Sequence, residues 1–373
     1  MPSNTKEKRK STSAAGSKIK TGRQQKEKIK VALIGVGNTA SVVVQALEGS
    51  QRGRLAGVWH AKVGGYSIDD IQLVAAFDID KNKVGKDLAE AIHTPPNVTP
   101  IFAKVKKTGI VVKPGIAEAD TPERLRQGDS VTSTNSIVED LKDSKAEIIL
   151  NLIPSGMQST SVRYAIEALK AGCSFVNATP STIATDQKIA LKFGKSKLIV
   201  VGDDLMSQFG GTAFHKGILD FVNSRGVKVE KSYQLDVGGG TETLNTISEE
   251  VKLAKRDIKS EAIAAEVPYK FQTVAGTTDY VDYMGNNRTS YFWISAKSFF
   301  DSDIKIDIYL RTNDGANAAN VLFDVVRAVA DSKRRRHEYG SPSHICAYGF
   351  KKLARPALLR NAHEDFDARY GTR

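Results

Sequence analysis

Lys28-Ile-Lys-Val-Ala-Leu-Ile34 runs directly into Gly35-Val-Gly-Asn-Thr-Ala40. The first segment is β-branched and apolar, the pattern of a buried strand. Residues 41–47 continue the second segment as a helix. Strand, glycine turn and helix in this order read as the opening unit of a dinucleotide-binding fold. Gly35 permits the tight turn, Gly37 lets backbone approach a pyrophosphate, and the small Ala40 allows helix and strand to pack closely. The helix start, with Asn38 and Thr39, offers backbone donors and positive partial charge to phosphates.

Working outward, a second strand spans 72–78 and ends at Asp78, where an acid can accept ribose hydroxyls. Asp78 lies 43 residues after Gly35, so 50–70 is an insertion between first helix and second strand. An acid at this strand end favours NAD over NADP. The pattern predicts a helix over 82–92, no helix through the prolines of 94–100, and no clear period over 101–133. Strands at 147–152, 174–177 and 197–201 then alternate with helices at 160–171 and 186–193. Uninterrupted apolar strands alternating with helices predict a Rossmann-type, doubly wound parallel sheet. A helix follows at 210–224. Longer, partly alternating strands at 231–237, 269–274, 289–296 and 304–311 predict a second, mainly antiparallel sheet, with a last helix at 316–332. The expected organisation is an α/β chain with a basic, disordered tail over 1–27. A nucleotide-binding domain would be built from 28–203 plus 315–373, and a sheet-rich α+β catalytic and oligomerisation domain from 204–314.

The length of 373 residues suits about two domains, and 40% hydrophobic residues exclude a wholly disordered chain. The net charge of +12 is mostly the tail, because residues 1–30 carry +8. That tail has no aromatic residue to stack on bases, so a solubilising extension is preferred over nucleic-acid contact. No apolar run reaches membrane-spanning length, and Cys173 and Cys346 are too few for a disulfide scaffold. A cytoplasmic protein without a secretory leader is expected.

Three other strand ends carry small polar residues: Pro154-Ser155-Gly156, Asn177-Ala-Thr179-Pro180 and Gly202-Asp203-Asp204. Ligands bind beyond the carboxyl ends of parallel strands, so these join the cofactor candidates. The aspartate pair could orient a nicotinamide or hold a divalent cation, or Asp204 could cap the following helix. Lys252, Lys255 and Lys259 share a helix face. On spacing alone the ordinary outcome is a solvated basic face; the alternative is a sugar-phosphate site whose ammonium groups meet developing oxyanions. Lys351-Lys352 raises the same choice. His215, within a helix, reads as structural.

Taken together, these motifs resemble the myo-inositol-1-phosphate synthase family, in its archaeal and bacterial form, from about residue 28 to 356. The resemblance is carried by 35–40, Gly64-Gly65-Tyr66, Val74-Ala-Ala-Phe-Asp-Ile-Asp80, Phe175-Val-Asn-Ala-Thr-Pro180 and the run 202–212. Val237-Gly238-Gly239, Lys255 with Lys259, Asp314 with Asn317, and Ala347-Tyr-Gly-Phe-Lys351 complete it. It implies NAD-dependent conversion of D-glucose 6-phosphate to 1D-myo-inositol 3-phosphate by C5 oxidation, enolisation, aldol cyclisation and re-reduction. It further implies a homotetramer, and a divalent cation for which Asp204 is a candidate ligand. By resemblance, Lys255 and Lys351 handle the C5 oxygen, and Lys259, Ser207, Gln208 and Arg288 hold phosphate. Asp204 lies near the nicotinamide, and Asp314 orients a lysine.

The chain departs from the family pattern at Met206, where lysine is usual, and at Asp236 and Glu242, where asparagine and aspartate are usual. Arg288 stands for a usual lysine, and arginine is a poor proton shuttle. These departures keep two other readings open. One is an enzyme of the same build acting on a different sugar phosphate. The other is a non-catalytic NAD-binding regulator.

Overall fold

The structure is a computed structural model that describes residues 27–54, 56–125, 134–336 and 338–372. The tail read at 1–27 lies outside the described residues except for Glu27.

Strand β1 (Ile29–Ile34) is buried on both faces and pairs in parallel with β2 (Ile71–Asp78) and β4 (Ile148–Asn151). β3 (Val112–Pro114), β5 (Ser174–Asn177) and β6 (Val200–Val201) extend the sheet outward, giving the all-parallel order β3-β2-β1-β4-β5-β6. The order reverses between β1 and β4, which opens a crevice at their carboxyl ends. Helices α1 (Asn38–Gln51), α2 (Leu88–Ala91), α3 (Thr134–Asp143), α4 (Gln158–Ala171) and α5 (Gln187–Lys195) lie between successive strands. Asp186 caps α5, its carboxylate accepting from the backbone N–H of Lys188 and Ile189. The edge strand β3 comes from the stretch that had no readable period; only three residues pair there.

The helix expected over 82–92 is corrected to the single turn α2. Gly85 takes a left-handed φ of +85°, which ends any helix approaching from Asn82. The Asp87 carboxylate then caps Ala89 and also accepts from the N–H of Thr108 and Gly109, pinning the turn to a distant loop. Strand β8 (Gln272–Tyr280) starts and ends later than the expected 269–274, because Tyr269 is used elsewhere: its hydroxyl accepts from Val229 N–H at 2.9 Å.

The second sheet has the order β10-β9-β7-β8, built from β7 (Lys228–Gly238), β8, β9 (Asn287–Lys297) and β10 (Asp303–Asn313). Two of its pairings are antiparallel, but β7 and β8 run in parallel. Parallel neighbours need a crossover. Here it carries α7 (Thr241–Asn245) and α8 (Glu249–Ala264). Helix α6 (Gly211–Ser224) and α8 cover one face of this sheet, and Leu219, Val222, Ile263, Ala275, Ile294 and Ala296 form its core. The other face carries a row of rings, Trp293 on Tyr233, Tyr233 against Tyr291, and Tyr291 on Tyr309.

His215 of α6 is fully buried, with Nε2 3.1 Å from the Ser232 hydroxyl. Burial pushes its pKa down to about 4, so a neutral ring bracing α6 on β7 is what the fold holds. The long helix α9 (Asp314–Arg335) returns to the first sheet and packs on α1. Helices α10 (Ser343–Gly349) and α11 (Leu359–Tyr370) follow it. Their side chains and those of α9 join the core around β1.

Candidate active site

The crevice at the β1/β4 switch point is a cavity of about 590 Å³. Its floor at one end is the Gly35–Ala40 loop. Gly35 has φ +87°, and a Cβ there would stand 2.9 Å from the Leu152 carbonyl. Nothing lies within 4 Å of the Cβ that Gly37 lacks, so this side of the loop is open to close approach. Gly37 is the N-cap of α1, and no side chain caps the helix. The Asp78 carboxylate braces the loop, accepting from Val36 N–H at 2.6 Å. Gly35→Ala is expected to lower the melting temperature, with a cost of about 1–3 kcal/mol for a non-glycine residue held in strained backbone. An unchanged melting temperature would show that the loop relaxes.

At the other end, four cations meet four carboxylates. Lys255 donates to Glu242 and to the Ser155 hydroxyl. Lys259 donates to Asp236 at 2.6 Å, and Lys351 pairs with Asp204 at 2.9 Å. Arg288 forks onto Asp314 through Nε at 2.7 Å and a terminal nitrogen at 2.6 Å, with its other end 3.7 Å from Asp236. Lys255 and Lys259 are 8% and 3% exposed, so the ordinary reading of a solvated basic face is corrected. Only Lys252 points outward, to the Thr278 carbonyl.

Burial alone would raise the Asp236 carboxyl, but the charges of Lys259 and Arg288 outweigh it and hold the group well below the usual carboxylate range. Burial likewise works against the Lys255 ammonium, yet Glu242 and Asp204 more than compensate and raise its pKa. Lys259 ends the other way. Burial lowers its pKa, and the neighbouring Arg288, Lys351 and Lys255 charges add to that beyond what Asp236 restores.

The cavity wall brings together Gly35, Gly37, Asn38, Thr39, Asp78, Pro154, Ser155, Thr179, Asp204, Ser207, Lys255, Lys259, Arg288, Asp314 and Lys351. It does not include Asn177, Asp203 or Gln208. Asp203 is fully buried and accepts from the N–H groups of Ile183, Ala184 and Thr185, while Asn177 donates to it at 2.8 Å. Together they stitch the β5 and β6 ends from behind. The Gln208 side-chain oxygen accepts from the Asn320 amide at 2.6 Å. Met206, also buried, does not reach the wall. Asp204 does not cap α6, whose N-cap is Gly210. Lys352 bonds the Pro180 carbonyl and the Thr182 hydroxyl and is not part of the cavity wall.

Asp236 and Glu242 were legible in the sequence only as departures from a pattern. Nothing in their spacing marks them as the partners of Lys259 and Lys255. Asp204 Oδ2 is buried and has no hydrogen-bond partner among the described residues. Among the described residues no group of three or more His, Cys, Asp or Glu is placed to hold a metal. Asp204 would therefore hold a divalent cation only with the remaining oxygen ligands supplied by water and a substrate phosphate.

Comparison with known proteins places this site in context. Residues 210–315 match the family model described as myo-inositol-1-phosphate synthase. An inositol-3-phosphate synthase of Mycobacterium tuberculosis is 33% identical over 321 residues, which cover 82% of this chain and 86% of that protein. One from Corynebacterium glutamicum is 32% identical, over 80% of this chain and 86% of its own length. The crystal structure of a myo-inositol-1-phosphate synthase-related protein from Thermotoga maritima superposes with a TM-score of 0.77 at 21% identity. The match covers 92% of this chain and 99% of that one, and shows the shared fold. The chain belongs to the myo-inositol-1-phosphate synthase family of enzymes.

Proposed function

We propose that the protein converts D-glucose 6-phosphate to 1D-myo-inositol 3-phosphate with NAD as internal redox cofactor. The observation that carries this reading is the convergence of Lys255, Lys259 and Lys351, each held by its own carboxylate, on one cavity floored by the Gly35–Ala40 loop. The open face at Gly37 and the uncapped start of α1 fit a dinucleotide's pyrophosphate. The Gly35–Ala40 loop and the start of α1 would hold NAD, which would supply the acceptor and later the donor of the C5 hydride.

The lysines serve the oxygens. Oxidation, enolisation and ring closure each place negative charge on an oxygen, and fixed ammonium groups in a water-poor site stabilise it. Lys255, kept protonated by Glu242, and Lys351, positioned by Asp204, exchange the proton of the C5 oxygen. Burial and the neighbouring cations lower the pKa of Lys259, so a dianionic phosphate beside it would favour its charged form. Arg288 and the Ser207 hydroxyl complete that grip. Asp314 fixes Arg288 rather than a lysine.

A second reading is favoured by charge balance. Lys255, Lys259, Arg288 and Lys351 are matched one for one by Glu242, Asp236, Asp314 and Asp204. With Met206 where lysine is usual and Asp236 where asparagine is usual, this end carries less positive charge than the family pattern, which suits a cyclase or oxidoreductase of the same build acting on a different sugar phosphate. A phosphorus NMR time course with glucose 6-phosphate and NAD separates the two. An inositol-phosphate resonance is expected; its absence, with a turnover signal from another sugar phosphate, would favour the second reading.

The division at residues 203/204 and 314/315 and a homotetramer belong to this proposal. The row Tyr233, Tyr291, Trp293 and Tyr309 supports association, because it shares with the exposed Leu235 and Val274 a sheet face that no helix among the described residues covers. Among the described residues no helix is long and apolar enough to cross a membrane.

A further inference from the structure

The three lysines at the sugar end of the cavity each face a carboxylate. A fourth buried lysine on the same wall does not. Lys83 lies in the turn between β2 and α2, is 4% exposed and lines the cavity beside the glycine loop. Its ammonium donates to the Val36 carbonyl at 2.9 Å and to the Asn97 side-chain oxygen at 2.9 Å. Both acceptors are neutral. Among the described residues it forms no ion pair within 4.0 Å. Two acids of that wall, Asp78 and Asp80, accept from backbone instead: Asp78 from the N–H of Val36 and Asp80, and Asp80 from that of Asn82.

An ammonium has three N–H donors, and two are accounted for. A buried charge without a counter-ion is costly, so such a group is kept where a ligand supplies the opposite charge. A separate feature of the same wall makes the same demand. Helix α1, 14 residues long, starts at Gly37 with no side-chain cap and no acid in its first turn. Its first N–H groups and its positive dipole end therefore also lack an anion. The Val36 peptide joins the two features: its N–H is held by Asp78, and its carbonyl by Lys83 and by Asn97 at 3.0 Å.

We infer that Lys83 is the counter-ion for the pyrophosphate of the bound dinucleotide, acting with the α1 N-terminus, and that it also locks the glycine loop in its binding conformation. The inference rests on the NAD reading above. The Asp78 carboxylate on the same side repels a phosphate on the adenosine ribose, which is why the pyrophosphate is assigned rather than a ribose 2′-phosphate.

The test is calorimetric titration of the full chain with NAD and, separately, NADP, alongside melting temperatures without cofactor. The variants are Lys83→Met and Lys83→Gln, the second keeping a donor for the Val36 carbonyl. Loss of a hydrogen-bonded charge predicts NAD affinity ~10–100-fold weaker in both variants, with a similar factor for NADP. The salt dependence of NAD binding should become shallower. The cofactor-free melting temperature should hold in Lys83→Gln, which keeps a donor for the Val36 carbonyl, so that the loss of affinity there is not a loss of fold. NAD affinity within about twofold of wild type would overturn the inference and leave Lys83 as a loop clamp. A loss confined to NADP would overturn the pyrophosphate assignment. Failure of the wild-type chain to bind either dinucleotide would instead overturn the cofactor reading on which the inference stands.

Discussion

Lys255→Ala is expected to abolish inositol-phosphate formation from glucose 6-phosphate, with a rate loss of roughly 10³-fold or more. Removal of one oxyanion-stabilising donor typically costs about 10²–10³ in rate, and Lys255 also exchanges a proton. The loss should fall on kcat more than on KM, because charge on the C5 oxygen develops after substrate binds. Folding should be little affected. The partner left behind, Glu242, is still hydrogen-bonded by Ser155 at 2.6 Å and has a side chain 42% exposed, so water can replace the ammonium. The phosphorus NMR time course reads the rate, and a thermal melt confirms the fold. A variant retaining more than about a tenth of the wild-type rate would remove Lys255 from the chemistry.

The second large effect is on stability. Asp236 is 1% exposed and accepts from Lys259, from Gln234 at 2.9 and 3.0 Å, and from the Ser290 hydroxyl at 2.6 Å, with Arg288 close by. Asp236→Ala strands the buried Lys259 ammonium, Arg288 keeping Asp314, and is expected to cost about 3–5 kcal/mol of unfolding free energy. Urea denaturation at neutral pH measures it. The pH dependence has a definite sign. The folded-state pKa of Asp236 is depressed below its unfolded value of about 3.9, so its stabilisation is complete above that value and fades as pH falls below it. The gap between wild type and Asp236→Ala should therefore be constant near neutrality and narrow below about pH 4. A loss under about 1 kcal/mol at pH 7 would mean that water or a rearranged side chain satisfies Lys259.

Much of the fold is written locally. An apolar run, two glycines and a small residue specify β1, the turn at Gly35 and the start of α1, because each acts on its own backbone or on the next turn. The alternation of short strands and helices from 147 to 201 is equally local, and it suffices for a parallel sheet. Where local preference met a distant partner, it lost. Gly85 and Asp87 broke the helix expected over 82–92, and the contacts of Asp87 are with Thr108 and Gly109, more than twenty residues on.

The site divides in the same way. Spacing placed Lys255 and Lys259 on one helix face, but whether that face met water or a cavity depended on β7 and α7, which bring Asp236 and Glu242 to it. Adjacent residues took opposite fates for the same reason. Asp204 faces the cavity with a free oxygen, while Asp203 turns inward to the N–H groups of 183–185. Lys83 had no local mark at all, since its acceptors are the Val36 carbonyl in the glycine loop and the Asn97 side chain. The sequence by itself determined the glycine loop, the parallel sheet and which residue types could carry phosphate and proton chemistry, since periodicity and backbone freedom are properties of short segments. Tertiary structure alone decided which charges are paired and which are buried without a counter-ion, because desolvation and Coulomb attraction depend on residues that the chain brings together from far apart.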